Sequence, residues 1–146
     1  MISNDYAALT PETLPARLAG LEALTDRVGP AEGWQVSEVG DGNLNLVFIV
    51  RGAKGAAIVK QALPYVRLVG ESWPLPLKRT FFEYQALVRQ DARDPGSVPA
   101  VWHFDEAQAM VVMEYLSDHI ILRQGLIQGR SYPGLGDRLG LFLARS

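Results

Sequence analysis

The chain has 146 residues, a length that suits one domain or part of a larger protein. Its 14 Lys+Arg and 16 Asp+Glu residues give a net charge of -2, so no basic excess exists to neutralise a run of nucleic-acid phosphates. The composition is 48% hydrophobic and 21% charged, which is typical of a folded globular protein. We therefore expect no nucleic-acid partner.

The absence of cysteine excludes disulfides, thiolate metal sites and cysteine nucleophiles. Residues 1–6 lack the basic and apolar regions of a signal peptide. No apolar run approaches the roughly 18 residues that a membrane helix needs. These features predict a cytoplasmic protein without a membrane partner.

The first half of the chain predicts one helix and three strands. The helix lies within residues 1–33, where apolar residues recur at helical spacing before Gly29-Pro30: Leu14, Leu18, Leu21 and Val28. The strands are predicted at residues 34–39, 46–50 and 56–60. The last two flank the sequence Gly-Ala-Lys-Gly at residues 52–55, which indicates a hairpin turn.

The second half begins with a predicted long loop at residues 63–77, which hold three prolines and Gly70. A helix follows at residues 78–89, and two more strands are predicted at residues 98–104 and 110–115. The chain is then expected to be irregular until a final helical stripe, which consists of Leu135, Leu139, Phe142 and Leu143.

This order predicts an α+β fold, with five antiparallel strands and one helix inserted after the third strand. We expect the apolar residues of the strands to face the helix at residues 78–89. The final stripe has no predicted partner within the chain, which suggests that a second lobe covers it.

A glycine-rich motif spans residues 40–47, which match G-x-G-x-x-G-x-V except that Asn45 replaces the third glycine. Such a loop brings backbone N–H groups close to phosphate oxygens. A hairpin turn explains the same residues, because Asp-Gly and Gly-Asn pairs favour positive φ. Taken alone, the motif favours the simple turn.

Three further features follow in the order found in a kinase small lobe. Lys60 ends an apolar strand, as in the V-A-I-K strand whose amine pairs with nucleotide phosphates, although an exposed strand-end lysine is common. Glu83 lies in the next helix, where it either holds that lysine or is a solvated carboxylate. Residues 113–116 end the last strand, where a kinase hinge presents backbone groups to adenine. Together these features favour a kinase-like lobe.

Several segments resemble the bacterial S-methyl-5-thioribose kinase family: residues 41–45 (Asp-Gly-Asn-Leu-Asn), 59–65, 69–75 (Val-Gly-Glu-Ser-Trp-Pro-Leu) and 125–127. The resemblance runs from about residue 34 to residue 146. It implies a protein-kinase-like fold related to aminoglycoside phosphotransferases. It also implies that ATP and Mg²⁺ are used to phosphorylate the 1-hydroxyl of methylthioribose in methionine salvage.

The resemblance implies roles for individual residues. The residues that it places along the nucleotide are Gly42, Asn43, Asn45, Lys60, Glu83, Glu114, Tyr115 and Leu116. Among them, the glycine-rich segment covers the phosphates, Lys60 binds the α- and β-phosphates, Glu83 orients Lys60, and the last three hold the adenine edge. Trp73 would belong to a loop that closes near the active site, or would pack that proline-rich loop onto the core.

The catalytic part of the family pattern is missing from this sequence. The family's His-Gly-Asp loop and Asp-x-Glu segment, which supply the catalytic aspartate and the Mg²⁺ ligands, have no match here. His103 and His119 are expected to be structural or exposed. The resemblance therefore predicts no catalytic residue and no metal ligand before Ser146, and a chain that is inactive alone.

The predicted organisation is an N-terminal helical segment at residues 1–33, a nucleotide-binding small lobe at 34–116, and a hinge linker with the start of a C-terminal lobe at 117–146. The sequence is also compatible with a homodimer. Two alternatives remain: another small-molecule phosphotransferase of the same fold, acting on an aminoglycoside, choline or a homoserine-like substrate, and a non-catalytic nucleotide-binding module. The Gly-Glu-Ser-Trp-Pro sequence at residues 70–74 favours the methylthioribose kinase over the other phosphotransferases.

Overall fold

The computed structural model of the protein describes residues 5–40 and 42–146. The expectations that concern residues 1–4 and Asp41 of the glycine-rich motif lie outside the described residues.

The N-terminal segment contains two short helices where the sequence predicts one. Helix α1 spans Leu14–Leu18 and helix α2 spans Glu22–Val28, followed by a 3-10 turn at Ala31–Gly33. Leu21 has extended backbone angles (φ −85°, ψ 97°) directly after Gly20, a residue with low helix propensity. The prediction of helical structure is correct, but the helix is interrupted between its two apolar halves.

The remaining elements form an α+β architecture. In chain order they are β1 (Gln35–Glu38), β2 (Asn45–Arg51), β3 (Ala56–Ala62), β4 (Tyr65–Val66), β5 (Gly70–Pro74), α3 (Arg79–Arg93), β6 (Val101–Asp105), β7 (Met110–Glu114), α4 (Leu122–Ile127) and α5 (Leu135–Arg145). One antiparallel sheet of five strands has the order β1-β2-β3-β7-β6. The predicted sheet and inserted helix are confirmed.

Two local predictions are wrong. The segment at residues 63–77 is not simply a loop, because β4 and β5 pair as an antiparallel hairpin outside the main sheet. Gly70 has a φ of 77° beside its turn, and Pro74 stands at the end of β5, where its missing N–H is tolerated. Residues 122–127, expected to be irregular, form α4.

The main hydrophobic core lies between the sheet and the N-terminal helices. Phe48, Val59 and Val112 occupy neighbouring positions on β2, β3 and β7, and all three are fully buried. They belong to the same buried cluster as Leu14 and Leu24 of α1 and α2. We call this side of the sheet the core face. Burying each such side chain contributes roughly 1.5–3 kcal/mol.

The expectation that the strands' apolar residues face α3 is therefore wrong for the main core. Side chains alternate along a strand, so the opposite side of the sheet carries Val47, Lys60 and Val111, which are neighbours in register. We call this side the lysine face. Helix α3 contributes two rings that pack on Phe104 of β6: Tyr84 stacks on it at 4.5 Å and Phe81 is tilted at 6.2 Å.

A close contact fixes the β2–β3 hairpin on α2. A Cβ at Gly52 would lie 2.3 Å from the Val28 carbonyl oxygen, so only glycine fits there. The backbone N–H of Lys54 donates to the same oxygen at 3.0 Å. Trp34 donates its indole N–H to the Gly29 carbonyl at 2.8 Å. The strand that carries Lys60 is thus anchored at its hairpin end.

Helix α5 has no buried residue among those that the structure describes. Leu139, Leu141 and Leu143 are exposed. Arg145 at its end pairs with Asp94 after α3, with 2.7 Å between Nη1 and Oδ1. The Ser97 hydroxyl and Arg145 hold the pKa of Asp94 below its usual range. No helix in residues 5–40 or 42–146 is both long and apolar enough to cross a membrane.

Candidate functional site

Lys60 lies near the centre of the sheet. Its strand, β3, is the middle strand of the five, and its neighbours in register are Val47 on β2 and Val111 on β7. Neighbours in register share one side of a sheet, so apolar side chains flank the lysine stem. A lysine in this position keeps its ammonium group on the lysine face while its methylenes pack.

The ammonium group of Lys60 forms an ion pair with Glu83 of α3. Nζ and Oε1 are 2.5 Å apart, and the two side chains are 25% and 34% exposed. A pair this accessible adds little to the free energy of unfolding, because water screens it. The ion pair instead determines the position of the ammonium group, which stays accessible to solvent and to an anion that binds on this face.

The glycine turn, residues 42–45, leads into β2, whose first residue is Asn45. A Cβ at Gly42 would lie 2.6 Å from the backbone oxygen of Asn45, so the turn closes tightly only with glycine. Asn45 pairs with Ala62, two positions from the Val47–Lys60 pair, and therefore lies on the lysine face. The exposed Asn43 accepts the backbone N–H of Arg67 at 2.8 Å through its carbonyl.

Arg79, at the start of α3, contacts the end of the glycine turn, and sequence reasoning missed this contact. Its Nη2 donates to the Leu44 carbonyl and, at 3.2 Å, to Oδ1 of Asn45. Its Nη1 donates to the carbonyls of Leu63 at 2.9 Å and Pro76 at 3.1 Å. The only available signal in the sequence was its position four residues before Glu83, which puts both on one side of a helix.

The surroundings of Arg79 shift the pKa of its guanidinium in both directions. Burial lowers the pKa of the Arg79 guanidinium, while the nearby Tyr6 and Glu83 act in the opposite direction. Tyr6 donates its hydroxyl to the Ala62 carbonyl at 2.8 Å. Burial, together with Tyr65, raises the pKa of Tyr6 to about 12, with Arg79 opposing the shift. Tyr6 therefore stays neutral at physiological pH.

Residues 114–116 begin with the last residue of β7. The Glu114 N–H donates to the Ala100 carbonyl at 2.9 Å, and the Glu114 carboxylate accepts the Ala100 N–H at 3.1 Å, so this side chain does not join Lys60 and Glu83. Tyr115 contacts Arg51, whose guanidinium lies 5.3 Å from the ring centre. Within the described part of the chain, the backbone N–H of Leu116 has no hydrogen-bond partner.

Trp73 lies on β5 and is 59% exposed. The interpretation in which its ring packs the proline-rich segment onto the core is therefore wrong. The histidines are separate from the site: His103 lies half-buried on β6 and His119 is exposed. No group of three or more His, Asp or Glu side chains that could hold a metal ion occurs in residues 5–40 and 42–146.

Only some of the site residues predicted from the sequence therefore lie close together. The structure brings Lys60, Glu83 and Asn45 to one face of the sheet and places Gly42 in the turn beside them. The Glu114 side chain lies apart from this group, on Ala100. The sheet order and the inserted helix are those of the N-terminal lobe of a protein-kinase-like fold.

Comparisons with known proteins identify the family. The chain is 47% identical over 148 residues to a methylthioribose kinase of Escherichia coli O45:K1, covering 99% of this chain and 35% of the relative. It is 46% identical over 143 residues to methylthioribose kinase 2 of Oryza sativa subsp. japonica, covering 97% of this chain and 31% of the relative. A methylthioribose kinase of Bacillus pumilus is 50% identical over 113 residues, 75% of this chain and 28% of the relative.

The chain belongs to the methylthioribose kinase family. It spans about a third of the length of the curated relatives it matches. No protein-family model matches it.

Proposed function

We propose that this chain is the nucleotide-binding lobe of an ATP-dependent kinase that phosphorylates the 1-hydroxyl of S-methyl-5-thioribose in methionine salvage. The observation that carries the proposal is the 2.5 Å ion pair between Lys60 and Glu83 on the face that also receives Asn45. The names of the relatives support the substrate and the reaction.

Lys60 would bind the α- and β-phosphates of ATP. Its ammonium group is a compact charge with three donors, and Glu83 limits its rotation before the nucleotide arrives. The apolar neighbours Val47 and Val111 flank its methylene stem, so the ammonium group is presented on the lysine face. An ammonium group placed in advance stabilises phosphate charge without reorganising during the reaction.

The glycine turn would cover the phosphates. Gly42 lets this turn close tightly, because a Cβ there would lie 2.6 Å from the Asn45 backbone oxygen. Asn43 and Asn45 would add polar groups at the mouth of the turn. The turn and Lys60 would then bind the same polyphosphate from adjacent strands.

The hinge segment would hold adenine through its backbone. Among the described residues the Leu116 N–H has no hydrogen-bond partner, and adenine presents a ring nitrogen acceptor of matching chemistry. Glu114 and Tyr115 would contribute backbone groups only, because their side chains are engaged by Ala100 and Arg51.

Catalysis would require groups that the described residues do not supply. We propose that the aspartate that accepts the substrate proton and the Mg²⁺ ligands lie in the part of the relatives that this chain does not match. Residues 1–146 on their own would then not phosphorylate the substrate. The exposed Trp73 would reach the site when the β4–β5 hairpin closes over it. The protein would act in the cytoplasm.

The test is a phosphoryl-transfer assay with the full-length protein, ATP, Mg²⁺ and methylthioribose, read by phosphorus NMR of the sugar product. An aminoglycoside, choline and homoserine serve as competing substrates. The proposal expects a sugar 1-phosphate and at least about 100-fold preference for methylthioribose in kcat/KM, as expected for a site built to hydrogen-bond its substrate. Phosphorylation of a comparison substrate instead, or of none, would overturn it.

A further inference from the structure

Arg79 connects three separate stretches of backbone. It donates to Leu44 and Asn45 at the end of the glycine turn, to Leu63 directly after β3, and to Pro76 before α3. Each acceptor is a carbonyl or amide oxygen. Among the residues that the structure describes, no carboxylate lies within ion-pair distance of Arg79.

The guanidinium group suits this task. It is planar and presents five donors in a fixed arrangement, so one side chain can bind acceptors from different segments simultaneously. Lysine has the charge but not this geometry. The Leu44 and Asn45 acceptors are in the glycine turn itself, so loss of the guanidinium frees the turn on that side.

Arg79 and Glu83 are four residues apart on α3 and therefore lie on the same side of the helix. Glu83 holds Lys60 at 2.5 Å, and Arg79 holds the glycine turn. One helical turn thus contacts both parts of the phosphate site. The negative charge of Glu83 also favours the charged form of Arg79, in line with their proximity.

We propose that Arg79 is a positioning residue that fixes the glycine turn relative to Lys60, so that both meet the same polyphosphate. This inference rests on the proposed function. Arg79 acts through Asn45 and the Leu44 backbone and does not itself contact the nucleotide. Its loss weakens ATP binding specifically, because a displacement of about 1 Å at a binding group is costly.

The experiment compares Arg79→Met with Arg89→Met in the full-length protein. Arg89 is exposed on the same helix, so the control removes an arginine without removing a contact to the turn. We expect Arg79→Met to raise KM for ATP about tenfold, the scale of one lost bond to a charged donor. The KM for methylthioribose and kcat should change less than about twofold, and Arg89→Met should match the wild type.

A second variant separates geometry from charge. Arg79→Lys should not restore the KM for ATP, since an ammonium group cannot reach the turn and the Leu63 carbonyl together. It also keeps the test available if the methionine variant fails to fold. Full restoration by lysine, or equal rises in KM for both substrates, would overturn the inference.

Hydrogen exchange without nucleotide supplies a readout that does not depend on the reaction. Amides of residues 42–46 should exchange faster in both Arg79 variants than in the wild type and Arg89→Met. Unchanged exchange there would overturn the inference even in an active enzyme. If the wild type has no kinase activity but residues 42–46 still exchange faster in the Arg79 variants, the result would contradict the proposed function and support the positioning contact.

Discussion

The ammonium nitrogen of Lys60 lies 2.5 Å from a carboxylate oxygen of Glu83, although 23 residues separate them in the chain. The sheet and α3 bring the two together on the side opposite the main core. Both side chains remain partly exposed, so the pair contributes little to folding and stays available to a ligand.

Replacing Lys60 with alanine in the full-length protein should lower kcat/KM about 100- to 1000-fold, the effect of losing one preorganised electrostatic contact. Lys60→Arg should not restore activity, because the guanidinium is wider than the ammonium group between Val47 and Val111. Steady-state kinetics with varied ATP measures both effects.

Lys54 provides the matched control for this substitution. It lies in the β2–β3 hairpin turn and is exposed, so Lys54→Ala should leave kcat/KM unchanged. Equal activity of Lys60→Ala and Lys54→Ala would show that Lys60 is not the phosphate-binding lysine.

Gly42→Ala should weaken ATP binding by opening the glycine turn. The new Cβ would lie 2.6 Å from the Asn45 backbone oxygen, so the turn must shift. We expect KM for ATP to rise at least tenfold, in line with the cost of misplacing a binding group. Gly33→Ala, in the 3-10 turn outside the motif, is the control, since a Cβ there meets no described atom within 4 Å. If the two variants had the same KM for ATP, the turn would have no part in binding.

The sequence predicts most of the secondary structure because its signals are local. Hairpin residues 52–55 and the strand on each side follow from turn chemistry and apolar runs, and the structure confirms them. The β4–β5 hairpin was not foreseen, since its prolines and Gly70 obscure two short strands. The break at Gly20 was missed because leucine spacing continues across it.

The arrangement of elements in space was harder to predict. Apolar alternation shows that a strand has a buried side but not which helix covers it, and the choice of α3 over α1 and α2 was wrong. Arg79 was missed for a related reason. Its acceptors are backbone oxygens, which leave no trace in the sequence.

Gln61→Met should destabilise the fold. Gln61 is fully buried; its Oε1 accepts the Leu9 N–H at 2.8 Å and its Nε2 donates to the carbonyls of Ala7 and Gln108. Methionine fills the space without these bonds and leaves buried backbone groups unpaired, a cost of about 1–3 kcal/mol. Urea unfolding measures the difference against Gln35→Met, an exposed position on β1. Equal unfolding free energies of the two variants would contradict the assigned role of Gln61.

Alkaline pH should destabilise the protein through Tyr6. Its pKa is raised to about 12 in the folded protein, against an ordinary value of about 10. Between these values the unfolded chain has lost the proton and the folded protein retains it, so the free energy of unfolding falls as pH rises. Below about pH 10 the group contributes no pH dependence.

The Tyr6→Phe variant should lack the fall in the free energy of unfolding that Tyr6 causes at alkaline pH. The Tyr84→Phe variant keeps Tyr6 and should still show that fall. Urea titrations at a series of pH values from 9 to about 11.5 provide the test. Identical slopes of unfolding free energy against pH in wild type and Tyr6→Phe would contradict the raised pKa of the half-buried phenol.

Residues 1–146 studied alone should reveal the apolar face of α5. Leu139 and Leu143, one helical turn apart on this face, are exposed, and each large apolar side chain left in water forgoes roughly 1.5–3 kcal/mol of burial energy. We expect either rapid hydrogen exchange beyond Pro133 or protection that grows with protein concentration as copies associate. Strong protection in a dilute monomer would contradict both expectations.

The most direct test of the central claim is a double-mutant cycle on Lys60 and Glu83, measured as kcat/KM for ATP in the full-length protein. The claim is that Glu83 acts by holding Lys60 at the phosphates. Glu83→Gln alone should then lower kcat/KM about tenfold, the scale of one lost charge-assisted bond. In a Lys60→Met background the same substitution should change it by less than about twofold. Additive losses, with Glu83→Gln equally harmful in both backgrounds, would contradict the claim.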